Sequence, residues 1–406
     1  TIPDSVTYLT SISGCTSLTS VSIGKGVTYI GGLSGCSALK SINIPKGVTY
    51  LGGFRNCTSL TSITLPDGVK YIGDCSGCTA LKSINLPNSV TAFEGFSGCT
   101  ALSSIAIPDS ITDIKVDAFF NCSSLSSVTF GKSVRTIGES AFSGCERLTS
   151  IVFPDSVTTI EDRAFNRCKR LANVTFPANL TSFGYSVFGE QCTSLKNIVW
   201  NVRKAYSGYE AGNTPFYYRV VSASKGEWVD IDLRSTIASF TFGNDVESIP
   251  AGLCAGMKKM TTVNLGNSVK SIESEAFYGC QSITAITFPE SLKSIGYCAF
   301  SGCTKIRTKI TIPVNVSYIG EDAFACTGID SVKWNARNCT AGWAVPWVYL
   351  SPFIGVPYFT FGDEVESIPN RLCAQLSISS VTIPSRVTSI GFRAFYKCSR
   401  LTSITV

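Results

Sequence analysis

The 406-residue sequence contains no histidine, and charged residues make up only 15% of it. Histidine is the commonest general base and the usual partner of a catalytic serine or cysteine, so its absence removes the most common route to hydrolytic catalysis. A carboxylate pair among Glu210, Glu227, Asp230 and Asp232 is the remaining catalytic alternative, although loop carboxylates are usually just solvated. The sequence therefore favours a protein that is not an enzyme.

Long apolar runs and runs of like charge are also missing. No stretch approaches the ~20 apolar residues of a membrane span. The 34 basic and 28 acidic residues are scattered along the chain and give a net charge of +6. These patterns predict no membrane insertion and no nucleic-acid partner, because such partners require apolar or basic clusters. Apolar residues still make up 44% of the chain, which is enough to bury a large core.

One unit repeats through the whole chain, and residues 145–168 show its pattern. A leucine is followed by an alternating Ile-x-Phe strand, a proline, a Val-x-x-Ile pair, and then Ala-Phe and a cysteine. A unit with one apolar edge must stack on copies of itself to bury that edge. The first apolar residue of each unit recurs, mostly every 21 to 24 residues, at Leu18, Leu39, Leu60, Leu81, Leu102, Leu125, Leu148, Leu171, Leu195, Ile237, Met260, Ile283, Ile306, Ile329, Val356, Ile378 and Leu401.

These repeats predict a single solenoid over residues 1–406, of class α/β. We expect a curved right-handed stack of about 17 repeats, with a parallel inner β-sheet and short helical or extended outer segments. Alternation in strands such as Ile42-Asn43-Ile44 directs the isoleucines inward. Proline ends each strand because it cannot extend a ladder of hydrogen bonds. Ala141-Phe142 is predicted as one turn of 3₁₀ or α-helix.

Most of the 18 cysteines occupy a single position of the repeat. Equivalent positions of a stack lie along a line, about 4.8 Å apart, which suits packing and does not suit convergence on a metal ion. Because a thiol is small and apolar, we predict a buried column of unpaired thiols, no metal site and no cofactor. Cys298 and Cys339 lie off the pattern and are predicted to be the more exposed thiols. The column comprises Cys15, Cys36, Cys57, Cys78, Cys99, Cys122, Cys145, Cys168, Cys192, Cys280, Cys303, Cys326 and Cys398.

The unit Leu-x-x-Ile-x-Phe-Pro-x-x-Val-x-x-Ile-x-x-x-Ala-Phe-x-x-Cys resembles the repeat of BspA-like leucine-rich repeat proteins. Residues 283–289, with Ala299-Phe300 and Cys303, carry the likeness clearly, and it extends over nearly the whole chain. The first five units depart from it because they lack Ala-Phe. The resemblance implies a secreted or surface-displayed protein, most often of an anaerobic bacterium, and several members of that family act as adhesins.

Two long intervals interrupt the repeat and are predicted as insertions at residues 201–236 and 335–355. All five tryptophans fall in or beside them. Trp200 and Trp334 occupy inward strand positions and are predicted to be core residues. The other large aromatic residues either pack the long loops locally or contact a ligand, since exposed aromatics dominate interfaces and long loops carry function. The predicted ligand contacts are Trp343, Trp347, Tyr349, Tyr206, Tyr209, Tyr217, Tyr218 and Trp228.

The outward positions of the inner strands form rows of small uncharged residues, such as Ser41 with Asn43 and Ser62 with Thr64. These rows are either simply good strand neighbours or a surface that hydrogen-bonds an extended ligand. Together with the insertion aromatics they predict a non-enzymatic cell-surface or secreted binding protein for a protein or glycan, with host extracellular matrix as a candidate partner. The alternative is a passive stalk that displays another domain.

Overall fold

A computed structural model describes residues 1–189, 191–203, 216–221, 228–342 and 351–406, and for 217–221, 228–231 and 340–342 it describes the backbone alone. The chain forms two compact units. The first comprises Thr1–Leu195 with Tyr218–Ile231, and the second comprises Lys196–Tyr217 with Asp232–Val406. Each unit is built from short parallel strands, which is the leucine-rich repeat arrangement that the period predicts.

The strands of the first unit form two parallel ladders. Strands that follow the marker leucine make the first ladder, as when Ser41 pairs with Ser62, and strands of the Val-x-x-Ile segment make the second ladder, as when Tyr29 pairs with Tyr50. In chain order the strands are β1 (Tyr8–Leu9), β2 (Tyr29–Ile30), β3 (Ser41–Asn43), β4 (Tyr50–Leu51), β5 (Ser62–Thr64), β6 (Tyr71–Asp74), β7 (Ser83–Ile84), β8 (Ala92–Gly95), β9 (Ser104–Ala106), β10 (Asp113–Ile114), β11 (Ser127–Thr129), β12 (Thr136–Ile137), β13 (Ser150–Val152), β14 (Thr159–Ile160), β15 (Asn173–Phe176) and β16 (Ser182–Phe183).

The second unit repeats the same two ladders, with parallel pairs such as Ile310 with Val332 and Ile272 with Ile295. Two strands of the first insertion, β18 and β19, lie mainly in the first unit and pair only with each other among the described residues. The strands that follow β16 in the chain are β17 (Asn197–Trp200), β18 (Tyr217–Val221), β19 (Trp228–Asp232), β20 (Ser239–Phe242), β21 (Ser248–Ile249), β22 (Thr262–Asn264), β23 (Ser271–Ile272), β24 (Ser294–Ile295), β25 (Lys309–Ile312), β26 (Tyr318–Gly320), β27 (Ser331–Trp334), β28 (Thr340–Gly342), β29 (Tyr358–Phe361), β30 (Ser367–Ile368), β31 (Ser380–Thr382), β32 (Ser389–Ile390) and β33 (Ser403–Thr405).

Alternation along the first ladder places the apolar residues between the two ladders. Ile63 is only 5% exposed while its neighbours Ser62 and Thr64 face solvent, and the marker Leu60 is fully buried. Burying one such aliphatic side chain stabilises the fold by roughly 1.5–3 kcal/mol. Trp200 and Trp334 are fully buried as well, so the prediction that they belong to the core is confirmed.

The Pro-Asp-Ser turn ties each repeat to both of its neighbours. At Pro154 the turn closes when the Val157 N–H donates to the Pro154 carbonyl over 3.0 Å. The Asp155 carboxylate accepts from the Ala178 N–H of the following repeat at 3.0 Å, and the Ser156 hydroxyl donates to the Val134 carbonyl of the preceding one at 2.6 Å. Backbone groups that the ladders leave unpaired are thereby satisfied.

Stacked phenylalanines line the interior where each repeat turns back. In the first unit Phe119, Phe142 and Phe165 stack at 5.1 and 5.3 Å between ring centroids. In the second unit Phe353, which lies in the second insertion, stacks on Phe324 at 5.0 Å and is fully buried. The end of that insertion therefore supplies a core rung and is not merely an external loop.

The predicted helical element is wrong. The part of the chain that the structure describes contains strands and turns but no helix, so these residues form an all-β solenoid and not an α/β one. Ser140, just before Ala141-Phe142, adopts a left-handed conformation with φ of 54°. A left-handed residue cannot continue a right-handed helix, and Asp117 and Arg163 do the same in neighbouring repeats. The outer segment of each repeat is instead extended, which was the other predicted form, and it forms a strand of the second ladder.

Candidate binding surfaces and the thiol column

The repeat cysteines form a hydrogen-bonded column inside each unit, here called the thiol column. Eleven of the thirteen thiols donate to a backbone carbonyl at the turn of the preceding repeat; Cys57, for example, donates to Leu33 over 3.1 Å and Cys122 to Phe96 over 3.1 Å. The same contact recurs at Cys36, Cys78, Cys99, Cys145, Cys168, Cys192, Cys280, Cys303 and Cys398. The thiol column thus fills space in the core and also satisfies backbone carbonyl groups of the preceding repeats.

Burial makes these thiols chemically quiet. It raises the pKa of Cys57, and likewise that of Cys122, to about 12, so each remains a protonated thiol at neutral pH. All 18 cysteines are free, which confirms the predicted unpaired thiols. No group of three or more histidine, cysteine, aspartate or glutamate side chains within the described ranges is arranged to hold a metal ion.

The predicted exposure of the two off-pattern thiols is wrong. Cys298 is 7% exposed and Cys339 is 5% exposed, whereas the column members Cys15 and Cys326 are exposed. Cys298 occupies the left-handed turn position, with φ of 50°, and its N–H donates to the carbonyl of Glu321 in the next repeat at 3.0 Å. The adjacent repeat therefore covers a residue that seemed off-pattern in the sequence.

The outward side of the first ladder, here called the polar face, is exposed and largely uncharged. In the first unit Ser41 lies beside Ser62 and Ser62 beside Ser83, while Asn43 lies beside Thr64. All of these side chains are exposed. Hydroxyl and amide groups in register at strand spacing can hydrogen-bond a ligand that runs across several repeats.

A second exposed surface lies on the second ladder of the first unit. Tyr8, Tyr29, Tyr50 and Tyr71, here called the tyrosine row, occupy one register position of four successive strands. Tyr29 and Tyr50 stack with centroids 4.6 Å apart, and Tyr50 and Tyr71 at 4.8 Å. Tyr8 is tilted 40° from Tyr29 and is 69% exposed, while the other three are half-buried.

The tyrosine row ends at a charged pair. The Tyr71 hydroxyl donates to Glu94 Oε1 at 2.7 Å, and the Lys115 ammonium contacts the same oxygen at 2.6 Å. The hydrogen bond from Lys115, joined by that from Tyr71, lowers the pKa of the Glu94 carboxyl. Glu94, Asp113, Lys115 and Glu161 line a shallow depression of about 390 Å³ beside this pair.

Sequence reasoning did not single out the tyrosine row, although its signal is present in the sequence. Tyrosine recurs every 21 residues from Tyr8 to Tyr71, each time directly before an inward leucine or isoleucine. An aromatic residue that precedes an inward strand residue points to the opposite side of the sheet. The exposure of these rings could therefore have been inferred from the alternation.

The predicted ligand contacts in the insertions stay predictions. Trp343, Trp347, Tyr349, Tyr206 and Tyr209 lie outside the described residues. Tyr217 and Tyr218 lie on β18 and Trp228 lies on β19, where only the backbone is described.

Of the acidic residues considered for catalysis, Asp232 lies at the end of β19 and is held by an arginine. Arg234 Nε and Nη2 donate to its two carboxylate oxygens at 2.8 and 2.9 Å. Burial alone would raise the pKa of this carboxyl, but the contacts with Arg234 outweigh burial and lower it. Asp232 is thus an ion-paired carboxylate, which is poorly suited to be a general acid.

Comparison with known sequences and structures identifies the family of this chain. The sequence profile of the BspA type leucine rich repeat region matches residues 1–95, 92–209, 234–341 and 354–406. A crystal structure of a leucine-rich repeat protein from Bacteroides ovatus is 26% identical, with 98% of this chain and 92% of that chain covered and a TM-score of 0.48.

A leucine rich cell surface protein from Faecalibacterium prausnitzii is 24% identical, with 98% and 82% of the two chains covered and a TM-score of 0.33. No curated protein matches the sequence. Within the described residues, no helix has the length and apolar character needed to cross a membrane. On the profile match over nearly its whole length, the chain belongs to the BspA-type leucine-rich repeat family.

Proposed function

We propose that this protein is a non-enzymatic binding protein of the bacterial cell surface or of the secreted fraction, with an adhesin-like role. It contacts a protein or glycan through the polar face and the aromatic residues of the two insertions. The observation that carries the proposal is the polar face itself, where exposed Ser, Thr and Asn side chains stay in register from Ser41 to Ser83. A ligand in contact with several repeats can use these groups together.

Three further observations support this role. The chain belongs to the BspA-type family, whose resemblance implies surface display and adhesion, and a similar solved structure is described as a leucine rich cell surface protein. The missing histidine and the quiet buried thiols favour binding over catalysis. Rigid stacked repeats also suit recognition, because a preorganised surface loses little conformational entropy when it binds.

The second candidate function is a passive stalk. Its supporting observation is that small polar residues in register, such as Ser62 beside Ser83, are also stable strand neighbours without any ligand. The two functions differ in a simple way: a stalk has no saturable ligand for either the polar face or the insertions.

The test is a binding screen of the full chain against immobilised extracellular-matrix proteins and a glycan array. One variant carries Trp343→Ala with Trp347→Ala, and a second carries Ser62→Arg with Ser83→Arg on the polar face. The matched control carries Thr58→Arg with Thr79→Arg, at exposed turn positions away from that face. We expect both test variants to weaken the best ligand at least ~10-fold, equivalent to ~1.4 kcal/mol, and the control to bind like the wild type.

Two outcomes would overturn the proposal. If the wild-type chain binds nothing in the screen, the stalk is the better description. If a ligand is found but both test variants bind it as tightly as the wild type, neither the polar face nor the insertions forms the site.

A further inference from the structure

The tyrosine row is not needed for the fold. The same register position of the second ladder continues from Tyr71 to Ala92, and later strands carry Asp113, Thr136 and Thr159 there. Small or polar side chains therefore satisfy the same place in the same unit. Four successive aromatic rings on a partly exposed surface, where Ala or Thr would serve, indicate a role outside the core.

The stacked rings set the shape of this surface. Because Tyr29 and Tyr50 lie 6° from parallel, each ring largely covers its neighbour's face and presents its edge and hydroxyl outward. Tyr8 is more open and offers part of a ring face as well. The result is a ridge with aromatic C–H groups and hydroxyls alternating at the spacing of the strands.

Two backbone N–H groups beside the ridge are already used within the ladder. The Gly31 N–H donates to Leu9 at 2.7 Å and the Gly52 N–H to Ile30 at 2.5 Å, both within the ladder. Neither glycine carries a side chain, so the ridge is flanked by bare backbone. A peptide that binds by strand addition needs unpaired backbone N–H groups as well as carbonyls, and these two N–H groups are already paired.

Charge narrows the ligand class further. The carboxylate at the end of the row, Glu94, is already bonded to Lys115 and Tyr71. Glu94 therefore offers a cationic polymer no unpaired carboxylate. A neutral polyhydroxylated chain fits this ridge, because its hydroxyls can bond the outward phenol hydroxyls while its C–H groups pack against the exposed ring edges.

We propose that the tyrosine row is a binding site for a neutral polysaccharide strand that runs along the stacked repeats. This site rests on the proposed role as a binding protein but lies on the second ladder, away from the polar face and the insertions. The contact is noncovalent and uses one saccharide unit for each one or two rings.

The test is isothermal titration of the full chain with soluble neutral glycans, namely cello-, chito- and manno-oligosaccharides and dextran. The main variant carries Tyr29→Thr with Tyr50→Thr, since Thr136 and Thr159 already occupy the equivalent position. A second variant carries Tyr29→Phe with Tyr50→Phe, which keeps the rings and removes the hydroxyls. The matched control carries Tyr278→Ala with Tyr297→Ala, two tyrosines of the second unit that are 49% and 46% exposed.

We expect one neutral glycan class to bind the wild type, the Thr variant to lose at least ~10-fold in affinity, and the Phe variant to fall between them. The control should bind like the wild type, and all variants should keep the wild-type circular dichroism spectrum. The Trp343→Ala, Trp347→Ala variant should retain this glycan binding, which separates this site from the insertion site.

The inference is overturned if no neutral glycan binds the wild type, or if the Thr variant binds as tightly as the wild type while folded. Binding of only acidic polysaccharides or only peptides, with the same dependence on Tyr29 and Tyr50, would also overturn it by showing a different ligand class. If the Thr variant fails to fold, equal affinity of the Phe variant and the Tyr8→Thr variant to that of the wild type overturns it instead.

Discussion

The first unit contains two kinds of repeat that reach the same core by different routes. In a 21-residue repeat, Gly52-Gly53 leads from the second ladder directly to Phe54. In a 23-residue repeat, four residues lead from Ile137 to Phe142. Both phenylalanines are fully buried, so the two additional residues change the outer turn and leave the core ring in place.

The difference shows what two additional residues contribute. In the short repeat the backbone runs so close to its neighbour that a Cβ on Gly52 would lie 2.0 Å from the Gly31 carbonyl oxygen. The long repeat adds a left-handed residue such as Ser140 and projects a variable side chain outward, as at Val116 and Tyr185, which are 55% and 58% exposed. Gly52 is thus sterically strict in its short repeat, and the long repeats can vary at their added outer residues.

The largest expected effect tests what the two kinds of repeat share. Burial raises the pKa of Cys57, in a short repeat, and of Cys122, in a long one, to about 12, from an ordinary 9.0. Unfolded thiols lose their protons near the ordinary value, while folded ones keep them. The stability from this column is therefore fully present below pH 9 and is lost as the pH rises towards 12, at about 1.4 kcal/mol per thiol per pH unit.

Urea unfolding at a series of pH values from 7 to 11 measures this loss. Cys57→Ala and Cys122→Ala should each flatten the alkaline slope by a similar amount, since the two thiols have similar surroundings. A stability that stays constant up to pH 11 would show that the column thiols ionise freely in the fold.

The next effect tests the strictness of the short repeats. Gly52→Ala should lower the free energy of unfolding by about 2–3 kcal/mol, because its methyl group meets neighbouring backbone that cannot move aside cheaply. Gly98→Ala is the matched control, since its φ is +69° but its nearest contact would be an ordinary 3.7 Å. This variant should lose only about 1 kcal/mol of unfolding free energy, because alanine disfavours the left-handed conformation. Equal losses in urea unfolding would mean that backbone conformation, and not close approach, makes the short repeats strict.

The smallest effect tests the long repeats. Ser140→Gly should raise the free energy of unfolding by about 0.5 kcal/mol, because relief of the left-handed strain slightly exceeds the added backbone entropy of glycine. Ser140→Ala, which keeps a Cβ in the same conformation, should bring no gain. If urea unfolding shows glycine to be the less stable of the two, the outer turn of the long repeat carries no strain.

The stack and its interior were predictable because they depend on period alone. Register places Leu60, Cys57 and Trp200 inward by the same alternation in every copy, and all three are fully buried. The outer turn was not predictable in this way. The Ser140 N–H donates to the Asp162 carbonyl of the next repeat at 2.9 Å, so a neighbour in space and not the local sequence selects its left-handed conformation.

The candidate site was predicted only in part. The polar face follows from strand alternation, and its exposure is observed from Ser41 onward. The tyrosine row was visible as a period of aromatics, but the parallel stacking of its rings depends on the side-chain rotamers, which a sequence does not give. The roles of insertion aromatics such as Trp343 and Trp347 could not be derived from the repeat, since no repeat pattern constrains loops of that length.

The thiol column has a direction. The eleven bonded sulfurs all donate towards the amino-terminal side, and each acceptor lies one turn earlier, as Cys168 does to Phe142 at 3.3 Å. If the array were divided between two repeats, one fragment would keep a thiol without its acceptor and the other a carbonyl without its donor. Engineered repeats of this kind can therefore be joined head to tail with the thiol hydrogen bond kept, whereas an inverted junction would leave a polar atom without its partner.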